Sequence, residues 1–361
     1  MFAHFGLRSL KQFLALVVAG VGLAVAIAAC SSSRPPVALD GQAPNGRIAT
    51  PARTDICLVS FAVTQSAYEK IIPMFAERWK AETGQEVVVY QSYGGSGPQA
   101  RAVIEGLEAD VVALAMALDV EKIQKAGLIQ PGWQQELPNG SIAHRSVAAL
   151  VTREGNPKNI RDWRDLTQDG VRVVTANPKT SGGARWNFLG AWGSVTQNGG
   201  TEDEALTLVT RLFQNTPVLA RDARESTDAF FKQGQGDVLI NYENEILLAG
   251  QRGETMPFVI PRTNISIDNP VAVVDAIVDK RGTRAVAEAF AQFLFTPEAQ
   301  AEFAKVGFRP VDPAIATQYA AQFGKVDKLF TVDDLGGWDE IQRKFFEDGA
   351  VFDQIQASLG K

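Results

Sequence analysis

The sequence predicts an α/β protein built as two facing lobes, with sheets that are mainly parallel and carry helices on both faces. Along most of the 361 residues, segments that read as buried strands alternate with amphipathic helices. Such an alternation places parallel strands side by side and runs the helical connections over both faces of the sheet. A strand that passes through a Gly/Ser turn into a helix occurs in each half of the chain, at about 87–107 and 173–192. This repeated device indicates two lobes with a cleft beyond the carboxyl ends of their strands.

Apolar periodicity predicts the elements in order. In the first half we expect strands at 56–61, 87–91, 109–115 and 146–152, and helices at 65–80, 98–107, 120–126 and 160–166. In the second half we expect strands at 173–176, near 218 and at 237–242, and helices opening at 180–183 and covering 202–214 and 227–233. A return segment at 270–278, a helix at 283–305 that restarts at Pro297, and a helical tail are expected to complete the chain.

The order of these elements predicts where the chain passes between the lobes. Residues 55–145, together with about 262–361, are expected to form the first lobe. Residues from about 146 to 261 are expected to form the second lobe, and any ligand would lie in the cleft between the two.

The N-terminal residues 1–29 have the features of a secretory signal peptide, because Arg8 and Lys11 precede an uncharged run that ends on I-A-A-C. Cys30 in this position resembles the lipobox of bacterial lipoproteins, in which the cysteine is lipidated and becomes the mature N-terminus. A permanent transmembrane helix is the alternative, although the run is slightly short for the roughly 20 residues that a span needs. Residues 30–54 are rich in Ser, Pro, Gly and Ala and are predicted to form a flexible tether.

Charge and composition exclude several classes of function. The net charge of −6 would become −8 when Arg8 and Lys11 leave with the signal peptide. An acidic body argues against nucleic acid or an anionic membrane surface as a partner. The two histidines are His4, within the signal, and His144, which excludes a histidine-rich metal site and leaves only His144 for a Ser-His-Asp triad. We therefore expect no metal, no cofactor and no catalytic residue.

The stretch 173–192 predicts an anion-binding site. Its strand runs into a turn, and Ser181, Gly182 and Gly183 then open a helix. Unpaired N–H groups and the positive end of the helix dipole meet at such a point and attract an anion. The glycines leave no Cβ in the way of the backbone, and Ser181 adds a hydroxyl donor. The Gly/Ser turn at 92–98 repeats the arrangement in the other half of the chain.

Several motifs resemble those of the bacterial sulfate- and thiosulfate-binding proteins, the substrate-capturing subunits of ABC importers. They are Q-S-Y-G-G-S-G, G-L-E-A-D-V-V-A-L-A, N-P-K-T-S-G-G-A-R-W-N, G-D-V-L-I-N-Y-E-N-E and G-F-R-P, and the likeness runs from about Ile56 to the C-terminus. The resemblance implies a type II periplasmic-binding-protein clamshell that closes on its ligand.

The same resemblance implies a function in transport. It describes a periplasmic monomer, not an enzyme, that captures sulfate, with thiosulfate as a further candidate. The ligand would be delivered to a membrane permease driven by a separate ATPase. A lipid on Cys30 would hold the protein near that permease.

The resemblance also implies which residues hold the ligand. In this family backbone N–H groups and a few side-chain donors bind the buried dianion without a cationic side chain. Carried over by motif, the ligand-binding residues are Ser96, Ser181, Gly182, Gly183 and Ala223. The residue pattern alone indicates the first two turns but not the turn of Ala223.

Two positions depart from the family's pattern. Better-known members have an aspartate in the cleft where this chain has Ala62, and a tryptophan whose indole N–H reaches the anion where this chain has Tyr242. A tyrosine hydroxyl can still donate a hydrogen bond, so Tyr242 is retained as a ligand-binding residue. Because Ala62 replaces that aspartate, the cleft lacks a carboxylate acceptor that would orient neighbouring donors.

Arg185 and Arg224 lie a few residues past two of the anion turns, as does Arg101 after the first. One interpretation is direct salt bridging to the anion; the other is pairing with carboxylates or carbonyls around the site, which the family's lack of a cation favours. Trp186 and Trp192 are interpreted as core residues of their helix.

Two rival functions remain open. The clamshell could bind another oxyanion, such as molybdate or phosphate, or a metal. The Gly/Ser turns could instead be the phosphate cradles of a phosphoryl or sulfuryl transferase, although neither turn fits G-x-x-x-x-G-K-[ST]. A site that offers only donors is expected to reject phosphate, because phosphate retains a proton at neutral pH and that proton needs an acceptor.

Overall fold

The computed structural model describes residues 53–360. The predicted signal peptide, Cys30 and nearly all of the predicted tether lie outside these residues. Within residues 53–360, no helix is long and apolar enough to cross a membrane.

The strands of residues 53–360 form two large sheets and one small one. In chain order they are β1 (Arg53–Phe61), β2 (Glu86–Gly94), β3 (Val111–Ala113), β4 (Ile142–Ser146), β5 (Ala148–Thr152), β6 (Val173–Ala176), β7 (Leu219–Ala220), β8 (Val238–Tyr242), β9 (Phe258–Val259), β10 (Thr263–Ile265), β11 (Ile267–Val273), β12 (Arg309–Pro310) and β13 (Lys328–Phe330).

Each large sheet belongs to one lobe. The first has the order β12-β4-β11-β3-β1-β2, the second has the order β7-β6-β8-β5-β9, and β10 pairs with β13 in the small sheet. The predicted α/β class with two lobes is thereby confirmed.

The sheets are mixed, because antiparallel pairs occur beside the parallel pairs that the sequence predicts. Strand β1 is parallel to β2 and β3, and β6 is parallel to β7 and β8. Strands β4, β5, β11 and β12 all form antiparallel pairs. Strands of βαβ units point their carboxyl ends at the cleft, whereas a strand that enters a lobe from the other lobe runs away from the cleft. The crossing strands β5 and β11 are therefore antiparallel to their neighbours β8 and β3.

Helices cover both faces of the large sheets. They are α1 (Gln65–Thr83), α2 (Ser96–Ile104), α3 (Ala117–Lys125), α4 (Gly182–Thr196), α5 (Glu202–Gln214), α6 (Ala223–Phe231), α7 (Glu243–Gln251), α8 (Asp275–Arg281), α9 (Arg284–Phe293), α10 (Pro297–Lys305), α11 (Pro313–Gln318), α12 (Gly337–Ile341) and α13 (Val351–Ser358). Short helical turns occupy Ala62–Thr64, Trp133–Gln135, Pro138–Ser141, Trp163–Thr167, Ala320–Gln322, Asp333–Leu335 and Gln342–Phe346.

Strand β1 shows how the sheets are covered. Ile56 and Leu58 belong to one cluster of buried apolar residues, and Cys57 and Val59 belong to another on the opposite face. All four are at most 1% exposed. A strand that is buried on both faces has a continuous run of apolar residues. The run I-C-L-V therefore predicts that β1 is such a strand.

Several elements differ from the sequence prediction, among them the following. The helix expected at 227–233 is α6, which begins at Ala223 because the Asp222 side chain accepts a hydrogen bond from the N–H of Glu225 (2.9 Å) and so caps the earlier turn. The helix expected at 160–166 is the short 3₁₀ turn Trp163–Thr167. The tail expected to be helical contains β12 and β13.

The end of the chain packs against the second lobe. The ring of Phe345 lies 5.4 Å from that of Phe188 on α4, and the ring of Phe352 lies 5.3 Å from that of Phe213 on α5. Residues beyond about 328 therefore do not follow the predicted assignment of 262–361 to the first lobe. The other lobe boundaries stay a prediction.

The crossing between the lobes is held by buried polar contacts. Strands β4 and β5 are separated only by Val147, whose carbonyl accepts a hydrogen bond from the N–H of Glu243 (2.9 Å). The Glu243 carboxylate is fully buried and forms a bidentate pair with Arg309 of β12, at 2.7 and 3.0 Å. Since Glu243 begins α7 and Arg309 lies in the first sheet, this pair joins the two lobes beside the crossing.

His144 lies on β4 near this crossing in an apolar environment. It is 1% exposed, its ring lies 4.5 Å from that of Phe303 and 4.0 Å from that of Phe308, and its Nδ1 atom has no hydrogen-bond partner. Burial lowers the pKa of His144 to about 3, and the nearby side chain of Asn269 opposes the shift only in part. The imidazole is therefore neutral in the folded protein at all moderate pH values.

This environment predicts that folding stability decreases as the pH falls below about 6.5. The unfolded chain takes up a proton on His144 below that pH, whereas the folded chain excludes it until about pH 3. The loss should approach about 1.4 kcal/mol per pH unit from this group. His144→Gln should remove most of it, because glutamine does not titrate. Urea unfolding of both proteins at about pH 5 and about pH 6.5 measures the effect; equal pH dependence in the two proteins would contradict it.

Candidate functional site

A small cavity lies between the two lobes, beyond the carboxyl ends of their strands. About 10 Å³ is open to the centre of a water-sized sphere, so the cavity admits one small molecule or ion. Its lining consists of Phe61, Ala62, Val63, Gly94, Gly95, Ser96, Ala115, Ser181, Gly182, Gly183, Asp222, Ala223 and Tyr242. All of the residues predicted to bind the ligand are brought together here.

Ser96 reaches the cavity at the start of α2. Its backbone N–H is the first of the helix and has no acceptor within it. Its hydroxyl is already engaged: Oγ donates to Asp119 Oδ2 (2.7 Å) and accepts from the N–H of Ala115 (3.0 Å). The backbone N–H is therefore the donor that Ser96 has left for a ligand.

Ser181 caps the N-terminus of α4. Its backbone N–H donates to the carbonyl of Asn177 (2.8 Å), and its Oγ accepts from the N–H of Ala184 (3.4 Å). The hydroxyl proton of Ser181 remains for a ligand. The N–H groups of Gly182 and Gly183 are the first two of α4 and have no acceptor within the helix.

Both glycines lie in close contact across the cavity. A Cβ on Gly182 would lie 2.6 Å from Ala115 Cβ and 2.8 Å from Met116 Cε, both in the first lobe. A Cβ on Gly183 would lie 2.7 Å from Tyr242 Cε2. These distances are shorter than real Cβ contacts. Glycine at position 182 therefore lets the lobes close this far, and glycine at position 183 leaves room for the Tyr242 ring within the second lobe.

Ala223 opens α6 and adds a third helix N-terminus. Its N–H has no acceptor within the helix, since the capping carboxylate of Asp222 is used by Glu225. The sequence analysis did not identify Asp222, which also lines the cavity. An aspartate directly before a helix is a cap signal, and that signal would have placed the helix start at Ala223.

Ala62 adds a fourth helix N-terminus that the sequence analysis missed. The short turn Ala62–Thr64 runs directly into α1, so the first N–H groups of this helical segment border the cavity. A main-chain N–H does not depend on the side chain. Replacement of the family's aspartate by Ala62 therefore removes a carboxylate but leaves this donor in place.

Tyr242 ends β8 with its hydroxyl in the cavity. The residue is 1% exposed, and its Oη atom is buried without a hydrogen-bond partner. Burial raises the pKa of Tyr242, as do the nearby carboxylates of Glu245 and Asp119, so the phenol is neutral and can donate. A buried hydroxyl without a partner is costly, which indicates that a ligand satisfies it.

Neither Arg185 nor Arg224 lines the cavity. The Nε of Arg185 donates to the carbonyl of Pro178 (2.8 Å) and its Nη1 donates to Gln342 Oε1 (3.0 Å). The Nη2 of Arg224 lies 2.9 Å from Glu245 Oε1. Burial lowers the pKa of Arg185, with Asp119 opposing the shift. Both guanidinium groups contact carbonyl, amide or carboxylate oxygens around the site.

The lining can therefore hold an anion through donors of the main chain and of two hydroxyls. No lysine, arginine or histidine is among its residues. Within the described part of the chain, no group of three or more His, Cys, Asp and Glu side chains could hold a metal ion.

Comparisons with known proteins identify the family of this chain. A family model described as "Bacterial extracellular solute-binding protein" matches residues 62–309. The chain is 60% identical to the sulfate-binding protein of Synechococcus elongatus over 353 residues, which cover 98% of this chain and 97% of that protein. It is 46% identical to the sulfate-binding protein of Salmonella typhimurium over 301 residues (82% and 91% coverage). It is 41% identical to the thiosulfate-binding protein of Pseudomonas aeruginosa over 300 residues (82% and 90% coverage).

Solved structures give the same result. The sulfate-binding protein SubI from Mycobacterium tuberculosis H37Rv has a TM-score of 0.75 and 38% identity, covering 81% of this chain and all of that chain. A periplasmic thiamin-binding protein, with a TM-score of 0.64 and 16% identity, shares the fold alone. The type II clamshell expected from the resemblance is confirmed. The chain belongs to the bacterial extracellular solute-binding proteins and, among them, to the family of sulfate- and thiosulfate-binding proteins.

Proposed function

We propose that this protein is the extracytoplasmic solute-binding subunit of an ABC importer and that it captures sulfate between its lobes. One observation carries the proposal. Four helix N-termini converge on a single buried cavity that has no cationic side chain in its lining. Relatives and a solved structure that are named sulfate-binding proteins support the choice of ligand.

The donor count is sufficient to hold a buried dianion. About seven hydrogen bonds to charged oxygen, each contributing roughly 1.5 to 3 kcal/mol, exceed the roughly 8 kcal/mol that a micromolar complex needs. The surplus offsets desolvation of the anion and the cost of closing the lobes. Each helix N-terminus adds up to about 2 kcal/mol in a partly buried geometry.

The negative side chains near the cavity are already engaged. Asp222 Oδ1 accepts from the N–H of Glu225, and its Oδ2 lies 3.5 Å from Arg221 Nε. Asp119 accepts the hydroxyl proton of Ser96 and lies 2.8 Å from Lys122. A protonated oxyanion therefore meets few free acceptors, which favours sulfate over phosphate.

The wider transport role follows from the family. The relatives are named as binding proteins, which supports a role without catalysis. A membrane permease and a separate ATPase are the partners that we propose for the closed, loaded monomer, on the extracytoplasmic or periplasmic side. The signal peptide and a lipid on Cys30 would bring the protein there and hold it near the permease.

Thiosulfate is a second candidate ligand. The thiosulfate-binding protein of Pseudomonas aeruginosa is 41% identical to this chain, so both anions occur among close relatives. Thiosulfate differs from sulfate chiefly by one larger and softer atom. The close approach of Gly182 to Ala115 and Met116 leaves little room for that atom and favours sulfate.

A panel of oxyanions tests the proposal. Thermal unfolding and calorimetry with sulfate, thiosulfate, phosphate and molybdate should give the tightest binding and the largest stabilisation with sulfate. Phosphate should bind at least about tenfold more weakly. Phosphate binding within tenfold of sulfate would contradict the selectivity argument, and turnover of a sulfate ester or a nucleotide would favour the transferase instead.

Removal of the Tyr242 hydroxyl should have opposite effects on the empty and the loaded protein. Tyr242→Phe should weaken sulfate binding roughly 10- to 100-fold, because it removes a hydrogen bond to a charged oxygen. The empty protein should unfold at the same temperature or higher, because the variant no longer buries a hydroxyl without a partner. Calorimetry and thermal unfolding measure the two effects. An unchanged sulfate affinity would show that the hydroxyl does not reach the anion.

A methyl group at Gly182 should prevent full closure of the lobes. Gly182→Ala would press its Cβ against Ala115 and Met116, and we expect sulfate affinity to fall roughly 5- to 100-fold. Gly97→Ala is the matched control, because a Cβ there would lie 4.0 Å from the carbonyl oxygen of Thr180, an ordinary contact. Calorimetry should show a near-native affinity for the control. Equal losses in both variants would contradict a closed binding state with this geometry.

A further inference from the structure

One hydrogen bond joins the two lobes beside the cavity without facing the ligand. The indole Nε1 of Trp186, on the first turns of α4, donates to the carbonyl of Ala115 at 2.7 Å. Ala115 follows β3 of the first lobe and lines the cavity, whereas Trp186 does not line it. Both residues are 1% exposed, so water does not compete for this bond in the closed protein.

The acceptor is fixed to the first lobe. The Ala115 carbonyl also accepts from Nδ2 of Asn269 on β11 (3.0 Å). The Ala115 N–H donates to Oγ of Ser96, which is itself bonded to Asp119. Ala115 therefore cannot follow α4 if the second lobe moves away, and the indole would then lose this partner.

The donor is fixed to the second lobe. Trp186 lies within α4, and the ring of Trp338 on α12 packs edge-on against it at 4.9 Å. The neighbouring Arg185 is anchored to Gln342 in the same C-terminal segment. The indole is therefore held in one orientation, and its position across the cleft is set by the position of α4 as a whole.

From these contacts we infer that Trp186 is a positioning residue that locks the lobes closed over the bound anion. The inference rests on the proposed function and deepens it. Gly182 and Gly183 present their N–H groups on the same rigid helix, four and three residues before Trp186. The bond to Ala115 therefore forms only when these donors are in place. Trp186 slows release of the anion without touching it.

A substitution that removes only the indole N–H donor tests this assignment. Trp186→Phe keeps an aromatic ring but removes the donor. The rate constant for sulfate dissociation should rise roughly 3- to 10-fold, the effect of one neutral hydrogen bond. The association rate constant should stay within about twofold, since changes at an existing interface act mainly on dissociation. Stopped-flow measurements of tryptophan fluorescence give both rate constants.

Trp192→Phe is the matched control. Trp192 lies on the same helix and is also buried, but its ring packs on Phe188 and Phe345, on the side of the second lobe. This variant should change thermal stability without changing the sulfate dissociation rate. Equal increases in both variants, or no increase in Trp186→Phe, would overturn the inference and leave sulfate binding by the wild-type protein intact.

A measurement on the wild-type protein covers the case in which Trp186→Phe does not fold. The indole N–H signal of Trp186 in nitrogen-15 NMR should exchange slowly with solvent when sulfate is bound and faster when sulfate is absent. The indole of Trp163, which donates to the carbonyl of Thr263 (3.0 Å) away from the cleft, is the internal control and should not respond. Equal protection of Trp186 in both states would overturn the inference. Absence of any sulfate binding by the wild-type protein would instead overturn the proposed function and this inference with it.

Discussion

The unpaired N–H groups of four helix N-termini meet in one buried cavity, and the rest of the structure depends on how they are satisfied. The first N–H groups of a helix have no acceptor within it, and burying them without a partner costs free energy. At α4 and α6, part of this demand is met by the caps Ser181 and Asp222. The donors that remain point to a guest that is rich in lone pairs and negatively charged.

Mobile charges are kept out of the cavity. The guanidinium groups of Arg185 and Arg224 are held by oxygen atoms of the protein. The carboxylates of Asp222 and Asp119 are held by N–H, hydroxyl and ammonium groups. The cavity therefore presents fixed dipoles, which need no reorganisation when an anion enters. Fixed dipoles also distinguish a fully ionised oxyanion from one that still carries a proton, whereas a lysine or arginine would attract both.

Closure is built into the backbone on both sides of the cavity. The contacts of Gly182 with Ala115 and Met116 of the first lobe leave no room for a side chain, and Trp186 joins the helix that carries Gly182 to the first lobe. On the other side, the buried pair of Glu243 and Arg309 joins the lobes next to the crossing strands. Glu243 of the motif Y-E-N-E and Arg309 of the motif G-F-R-P, which have no ligand-binding role predicted from the sequence, form this pair. The lobes are thus joined permanently beside the crossing strands, and they close against each other at α4.

The sequence by itself determined the α/β class, the Gly/Ser turns at 92–98 and 180–183, and the exclusion of a histidine-rich metal site. These features are local: a strand, a turn and a helix start are decided by residues within one short segment. Only the tertiary structure decided that the N-terminus of α6 borders the cavity, that Ala62 opens a fourth helix there, and that the Tyr242 hydroxyl lacks a partner. It also decided that the sheets are mixed and that the tail packs on the second lobe. Each of these depends on contacts between segments far apart in the chain, because convergence on one cavity is a property of packing and not of any single segment.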